Sequence, residues 1–592
     1  MLFHRFIRSS NVRSRFTLWG ICILLPVIFT ASTRGQIPAP KRETRAVYIA
    51  TVLGLDWPKS TDPAEQQRSL RDMVYKLAAA RFNTIYFQVR GRADAMYRSQ
   101  YEPWSSQLTG TLGKDPGWDP LAFLLKEAHD HGMEVHAWFN TVLVKNGGPP
   151  PEISNPLHVI LAHPEWMRQV EGEWWFDPGL PAVRNYIVGV ALDIVRHYDI
   201  DGFLFDYLRY PQHPFPDDAT YRKYGRRIPK DDWRRDNINA IAKTFHDSVM
   251  AIKPFLKIGS APIGIYQNGK QMRGLQSYSE LYQDSRRWIR EGWQDYLSPQ
   301  VYWPLGHLTR DPDFATVARD WSENAYGKHL YIGVGVYKPE VAPQIPAIID
   351  TSRSCMVDGN AFFRYSNISD LLRVNGRYST PALPPPMKWK DSVPPEPPAD
   401  VQLRNLGDRI FSLQWHGQTA TPDRHPARWY VVYRSPEFPV GIGRPENILA
   451  LVPASRTAYL DTVREYGLEE CSYAVTALSP AGIESQPVGN RVIIPAIVDL
   501  ARSYRPVFAL RSVEHDPHRD NIFIPFELPS RRPVQLRIMD AKNNEVAKIV
   551  DGIVDAGRHV AAADIRRLPP GAYASVLTSD ELYARTVFTI TR

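Results

Sequence analysis

Between Arg45 and Leu372 the chain repeats one pattern eight times: an apolar run of strand character, then an amphipathic run of helix character. The strand runs are Arg45–Thr51, Asn83–Arg90, Glu134–Asn140, the start of Ile200–Pro211, Leu256–Pro262, Asp295–Trp303, His329–Val336 and Gly359–Tyr365. Phe203-Leu204-Phe205 is unbroken in its apolarity, which suits a parallel strand covered on both faces. Asp62-Pro63-Ala64-Glu65 and Asp119-Pro120 open helices with a capping acid and a proline at the first helical position. Ser366 is placed to cap the last helix. Eight strand–helix units predict an α/β chain folded as a (β/α)8 barrel with insertions. An open doubly wound sheet is the alternative, but no Gly-rich phosphate turn follows the first strand.

At 592 residues the chain exceeds one ordinary core. Arg5, Arg8, Arg13 and Arg15 precede an apolar run, Phe16 to Phe29, and small residues follow. Residues 1–36 therefore read as a secretory signal peptide, with the rest exported across an inner membrane to the periplasm, an outer surface or beyond. The barrel is expected over 43–378. Residues 379–399 are Pro-dense and read as a semi-rigid extended linker. Beyond them short alternating segments predict two small all-β sandwiches, 400–496 and 506–592. The first, with Trp415 and Tyr473 as core aromatics and Ala477 to Gly482 leading into a last strand, resembles a fibronectin type III domain. The second, through Leu568 to Tyr573, resembles immunoglobulin-like C-terminal modules, which implies export or surface attachment.

The net charge of +8 is spread without a basic stripe or a recognition motif, so nucleic acid is not expected as a partner. Of the three cysteines, Cys22 lies in the leader, and Cys355 and Cys471 fall in different domains and are not expected to pair.

Barrel enzymes gather their chemistry at the C-terminal ends of the strands. The side chains there are Asp56 and Trp57; Gln88, Arg90 and Asp94; His136, Trp138 and Asn140; Asp206, Tyr207 and Arg209; Gln300, Tyr302 and Trp303; Tyr337; and Arg364. Period-two alternation puts Tyr86, Gln88 and Arg90 on one face, His136, Trp138 and Asn140 on one, and Ser298, Gln300 and Tyr302 on one. Converging at a rim, these make a cleft of amides and aromatics suited to a polyhydroxylated ligand. Glycoside hydrolysis needs two carboxyl groups. Asp206, ending a buried strand, is the leading catalytic candidate, with Asp94 or Asp56 as its partner. Each has a plainer reading: a turn at Asp56, a loop bond at Asp94, a rim ion pair for Asp206. Trp57, Gln88, Arg90, His136, Trp138, Asn140, Tyr207, Gln300, Tyr302, Trp303 and Tyr337 are the candidate substrate-binding residues. Asp201, at the opposite end, reads as structural, and Asp119 and Asp177 as caps. No metal motif, phosphate loop or nucleophile elbow is present, so no cofactor is expected.

Several segments carry a family resemblance. Arg45-Ala46-Val47-Tyr48-Ile49-Ala50, Phe87-Gln88-Val89-Arg90, Asp94-Ala95-Met96-Tyr97 and Glu102-Pro103-Trp104-Ser105 form the first half. Asp201 to Tyr207, Ser298 to Trp303 and Tyr331 to Lys338 form the second. In this order they resemble the glycosyl-hydrolase-like family 10 over about residues 43–378. The resemblance implies a barrel in the bacterial envelope that acts on glycans, for some members on peptidoglycan strands stripped of their peptides, and it places Asp206 on the family's fourth-strand acid. Leu208-Arg209 departs from the family's usual pattern. The expected function is thus an exported glycoside hydrolase, the alternative a non-catalytic glycan-binding barrel.

Overall fold

The computed structural model describes residues 37–592 except 270, 307–311, 369–375, 408, 419–420, 422, 464–469, 494–506, 516–520 and 591–592. The expected leader, with Cys22, lies outside the described residues. The described residues form two compact units, one up to residue 463 together with 470–492 and one from residue 493 onward.

The first unit holds a closed parallel barrel of eight strands. They are β1 (Thr44–Ile49), β2 (Thr84–Arg90), β3 (Glu134–Asn140), β7 (Gly202–Asp206), β8 (Lys257–Ser260), β9 (Tyr296–Leu297), β10 (His329–Val334) and β11 (Gly359–Phe362), closed in the order β1-β11-β10-β9-β8-β7-β3-β2. Helices such as Pro63–Ala79, Pro120–Asp130, Pro181–His197 and Lys230–Ile252 connect them. Asp62 caps the first through Ala64 N (2.9 Å) and Asp119 the second through Ala122 N (3.0 Å). Asp177 is not a cap. It holds Arg168 (2.7 Å) and the Thr220 hydroxyl (2.5 Å) instead. After β3 an insertion folds as its own small sheet from β4 (Leu143–Lys145), β5 (Met167–Val170) and β6 (Glu173–Phe176), in the order β4-β6-β5.

The lumen is filled by rings set against small residues. Tyr48, Tyr86, Trp138, Tyr296 and Tyr331 pack with Ala46, Ala50, Ala261 and Ala361. Gly202 faces His136 across the β3–β7 register, and a Cβ there would lie 2.5 Å from the imidazole. Only a residue without a side chain leaves room for that ring.

Two strands differ from expectation. A bulge between Gln88 and Arg90 pairs Gln88 with Trp138 but Arg90 with Phe139. An extra residue in one strand reverses the facing of the residues after it, so Arg90 does not share a face with Tyr86 and Gln88. The ninth strand covers only Tyr296–Leu297, because Pro299 has no N–H to donate. Its carbonyl instead accepts from Gly333 N and Val301 N (both 2.9 Å), and Gln300 continues the barrel through isolated bridges to Ile263 and Gly333.

Residues 379–399 are not a free spacer. Leu383 exchanges backbone bonds with Lys41 and Glu43, Asn83 Nδ2 donates to Ala382 O (2.9 Å), and Arg45 Nη1 donates to Thr380 O (2.6 Å). Trp389 Nε1 and Lys390 Nζ both reach Asp295 (2.8 Å). Prolines carry acceptors without donors, so this segment can lie flat against the donor-rich N-terminal end of the barrel.

Beyond it, a three-stranded sheet (Ala399–Gly407, Ile410–His416, Ala458–Thr462) faces a four-stranded one (Ile448–Pro453, Trp429–Ser435, Glu470–Leu478, Val488–Ile493). Trp415 and Tyr473 are buried in it, and Cys355 and Cys471 are buried and not joined in a disulfide among the described residues. Arg428 ties this sandwich to Asp199 (2.7 Å) and Asp201 (2.9 Å) at the foot of the barrel, and His129 binds Asp201 (2.8 Å). Burial works against a charged His129, but Asp201 outweighs it and holds the His129 pKa above its usual value. In the second unit, two further antiparallel sheets enclose Ile522, Ile524, Leu536, Ile538 and Leu577.

Two substitutions test this packing. Gly202→Ala forces a Cβ against His136 and is expected to cost about 1–3 kcal/mol in urea unfolding; unchanged stability would show that the ring has room to move. A His129 pKa raised in the folded state stabilises fully below about pH 6.5, and the gain is lost as pH rises through the folded value. The melting-temperature deficit of His129→Gln is therefore expected to be larger at pH 6 than at pH 9, and an equal deficit at both would contradict the charged pair.

Candidate active site

Asp206 is the last residue of β7 and lies at the C-terminal mouth of the barrel. It is only 8% exposed. Its Oδ1 accepts from Tyr207 N (2.8 Å) and from Gln300 Nε2 (3.4 Å). Burial pushes the carboxyl above its usual value, and the Tyr207 N–H and the Arg209 guanidinium oppose that without cancelling it. A carboxyl held neutral longer than usual at a barrel mouth is suited to proton donation.

Two unlike walls rise from this floor. One is aromatic: Tyr302 stacks on Phe363 (centroids 5.7 Å apart), and Tyr337, Tyr48 and Trp138 meet the Phe363 ring edge-on at 6.1, 5.5 and 6.1 Å. Tyr337 is 47% exposed and is the open end of this wall. Such a surface matches the C–H faces of sugar rings. The other wall is cationic. The Tyr207 ring lies 4.8 Å from the Arg209 guanidinium, 6.0 Å from that of Arg92 and 6.0 Å from the Trp175 ring. Arg92 bonds the Asn146 amide oxygen, Arg209 donates to Tyr210 O (3.1 Å), and Lys145 donates to Gly147 O (2.8 Å). None of these three cations is ion-paired among the described residues. Beside them a cavity of about 400 Å³ is lined by Thr51, Arg92, Asp94, Gln107, Lys145 and His158.

The sequence candidates divide. Asp206, Tyr207, Gln300, Tyr302, Tyr337 and the buried Trp138 come together at the mouth. The Trp138 indole N–H also favours the Asp206 charge, though it makes no hydrogen bond of ordinary geometry. Asn140 Oδ1 is buried without a hydrogen-bond partner among the described residues. Asp94 lines the adjoining cavity, with Oδ1 accepting from Arg92 N (2.8 Å). The rest serve the frame. Asp56 has no exposed side-chain surface, and its oxygens are taken by Ala50 N (2.8 Å), Ser366 N (2.9 Å) and Arg364 (2.6 Å). No lone pair remains turned to a substrate, so Asp56 is a tie between the first and last strands. Trp57 is fully buried on Phe87 and Trp118, with its indole N–H on Gln66 O (3.0 Å). Gln88 Oε1 accepts from Thr51 N (3.0 Å) and Val52 N (2.9 Å). Arg90 is buried in a forked pair with Glu102 (2.8 Å). His136 lies deep in the lumen on Tyr296 Oη (2.7 Å). Trp303 turns away from Tyr302, with its ring against Gly264.

Sequence reading missed three parts of the mouth: Phe363, Arg92 and Trp175. Phe363 sits one residue past the end of β11, where the pattern offered Arg364 and Tyr365 instead. Trp175 belongs to the insertion, whose Pro, His and Trp content gave no sign that it folds as a sheet over the rim.

A model of the glycosyl hydrolase-like 10 family matches residues 43–347. Glycosyl hydrolase YngK of Bacillus subtilis (strain 168) is 36% identical over 463 residues, covering 72% of this chain and 89% of that protein. Glycosyl hydrolase DigH of Escherichia coli (strain K12) is 35% identical over 323 residues, covering 50% of this chain and 73% of that one. Among solved structures, the catalytic domain of a beta-amylase from Paenibacillus polymyxa aligns with a TM-score of 0.40 at 12% identity, over 56% of this chain and 94% of that one. The family model spans more than half of the residues and the Bacillus relative is similar along most of both chains, so the chain belongs to the glycosyl hydrolase-like 10 family.

Proposed function

We propose that the protein is an exported glycoside hydrolase of an envelope polysaccharide, with peptidoglycan strands stripped of their peptides as the substrate class. The observation that carries this reading is Asp206, a buried carboxyl of raised pKa between an aromatic wall and a cationic one. Two relatives named as glycosyl hydrolases support it. In this reading Asp206 gives its proton to the leaving glycosidic oxygen. Tyr302, Phe363 and Tyr337 stack on sugar rings, and Gln300 orients Asp206. Asp94 serves the neighbouring subsite. The basic, then apolar N-terminus fits export. The C-terminal β units are assigned to display: the first as a fibronectin type III-like module, the second as a sorting or attachment module that engages the cell surface or the export machinery.

The test is incubation of the protein with peptide-free peptidoglycan strands and with chitin-type oligomers, followed by chromatography of the products. Cleavage by wild type is expected, and Asp206→Asn is expected to lower kcat by about 10³-fold. Binding of both glycans with no cleavage of either by wild type would leave a glycan-binding barrel in place of an enzyme.

A second outcome concerns pH. As proton donor, Asp206 must be protonated, so kcat/KM is expected to fall as pH rises through a value above the ordinary aspartate range. Arg209→Met removes a charge that holds this carboxyl down. The alkaline limb of the variant's profile is expected to move to higher pH, and a shift to lower pH would contradict the assignment.

A further inference from the structure

We propose that Glu173, on the inserted sheet, is the second catalytic carboxylate of this cleft; the proposal rests on the glycosidase reading above. A glycosidase requires two carboxyl groups. Asp56 is consumed by its three bonds, and Asp94 is set in its own loop against Arg92 N. Glu173 opens β6 and is half-buried, so it remains reachable. The inserted sheet brings it to the same three groups that surround Asp206. Tyr207, bonded through its N–H to Asp206, packs on Trp175, two residues from Glu173. Arg209 lies over both rings, 4.8 Å from Tyr207 and 5.7 Å from Trp175. Arg92 lies over Tyr207 and is bonded to Asn146, whose Nδ2 donates to Glu173 Oε1 (3.0 Å). The charges of Asp206 and Glu173 both act on Arg92, Tyr207 and Arg209.

The hydrogen bonds divide the roles. Each Glu173 oxygen accepts an N–H, Oε1 from Asn146 and Oε2 from Trp175 Nε1 (3.2 Å). With an N–H on each oxygen, Glu173 is held in place as an acceptor. On Asp206 both hydrogen bonds fall on Oδ1, which leaves Oδ2 to carry a proton. Asp206 therefore protonates the glycosidic oxygen as the C1–O bond breaks and its electron pair stays on that oxygen. Glu173 takes a proton from the water whose oxygen forms the new bond to C1. One glycosidic bond and one water become two hydroxyl-bearing products. Asp206 ends ionised and Glu173 protonated, and exchange with solvent resets both.

The experiment follows release of reducing ends from peptide-free peptidoglycan strands by the full chain, its Glu173→Gln, Glu173→Ala and Asp94→Ala variants, with and without molar sodium formate. Glu173→Gln is expected to lose about 10³-fold in kcat with little change in KM, and to lose the acidic limb of the pH profile. Formate is expected to restore at least part of the lost rate to Glu173→Ala, which a merely structural role would not allow. Retention of more than a tenth of kcat by Glu173→Gln overturns the proposal while leaving the glycosidase reading intact, and so does formate rescue of Asp94→Ala in place of Glu173→Ala. If wild type leaves the strands uncut, the glycosidase reading and this assignment fall together.

Discussion

The absence of a side chain at Gly202, opposite the His136 imidazole, sets the arrangement on which the rest depends. A closed eight-stranded barrel has no spare volume, and every large lumen side chain needs a small one facing it. Here the lower layers are aromatic, with Tyr86, His136, Tyr296 and Tyr331 interlocked; His136 bonds Tyr296 and Glu134, and Tyr331 bonds His329. That plug fills the barrel axis. Leu204 and then Asp206 follow Gly202 on the same face of β7, so the plug forms the floor beneath the carboxyl. The raised pKa of Asp206 follows from its own burial above that floor.

The foot of the barrel is closed by different means. The Pro-dense segment lies across it, and Arg428 and Arg456 of the sandwich bind Asp199, Asp201 and Asp130 at the ends of barrel elements. Lys41 and Arg42, just ahead of β1, share Glu484 on the sandwich's side (2.6 and 3.1 Å). These ties join residues far apart in sequence and clamp the start of the first strand. At the mouth Arg92, Arg209 and Lys145 have no ion pair among the described residues, whereas the foot is laced with such pairs.

Much of this was legible in the chain. The strand periods, the capping acids at Asp62 and Asp119 and the acid ending the fourth barrel strand follow from local rules of burial and hydrogen bonding, and the structure agrees with them. The illegible parts came from non-local causes. The bulge at Val89 turns Arg90 out of the lumen and into Glu102, and no period-two count can register one extra residue. Trp57 reads as a rim aromatic by position but is swallowed by the helix that follows. Asp56 looks like a free acid until Arg364 and Ser366, about three hundred residues later, reach it. The linker reading stopped at extension, because proline density says nothing about whether a surface lies alongside.

The inserted sheet has a consequence for how such a protein diversifies. It leaves the barrel after β3 and returns before the helix Pro181–His197, so both of its ends are anchored to elements that the barrel already fixes. Among the described residues, its strands pair with one another and with no other strand. Exchanging this parcel of sequence would redraw one side of the cleft without altering the register of any barrel strand. Floor and roof are thus separable pieces: the floor is constrained by a crowded lumen, the roof by the anchors at its two ends and by the groups it brings to the mouth.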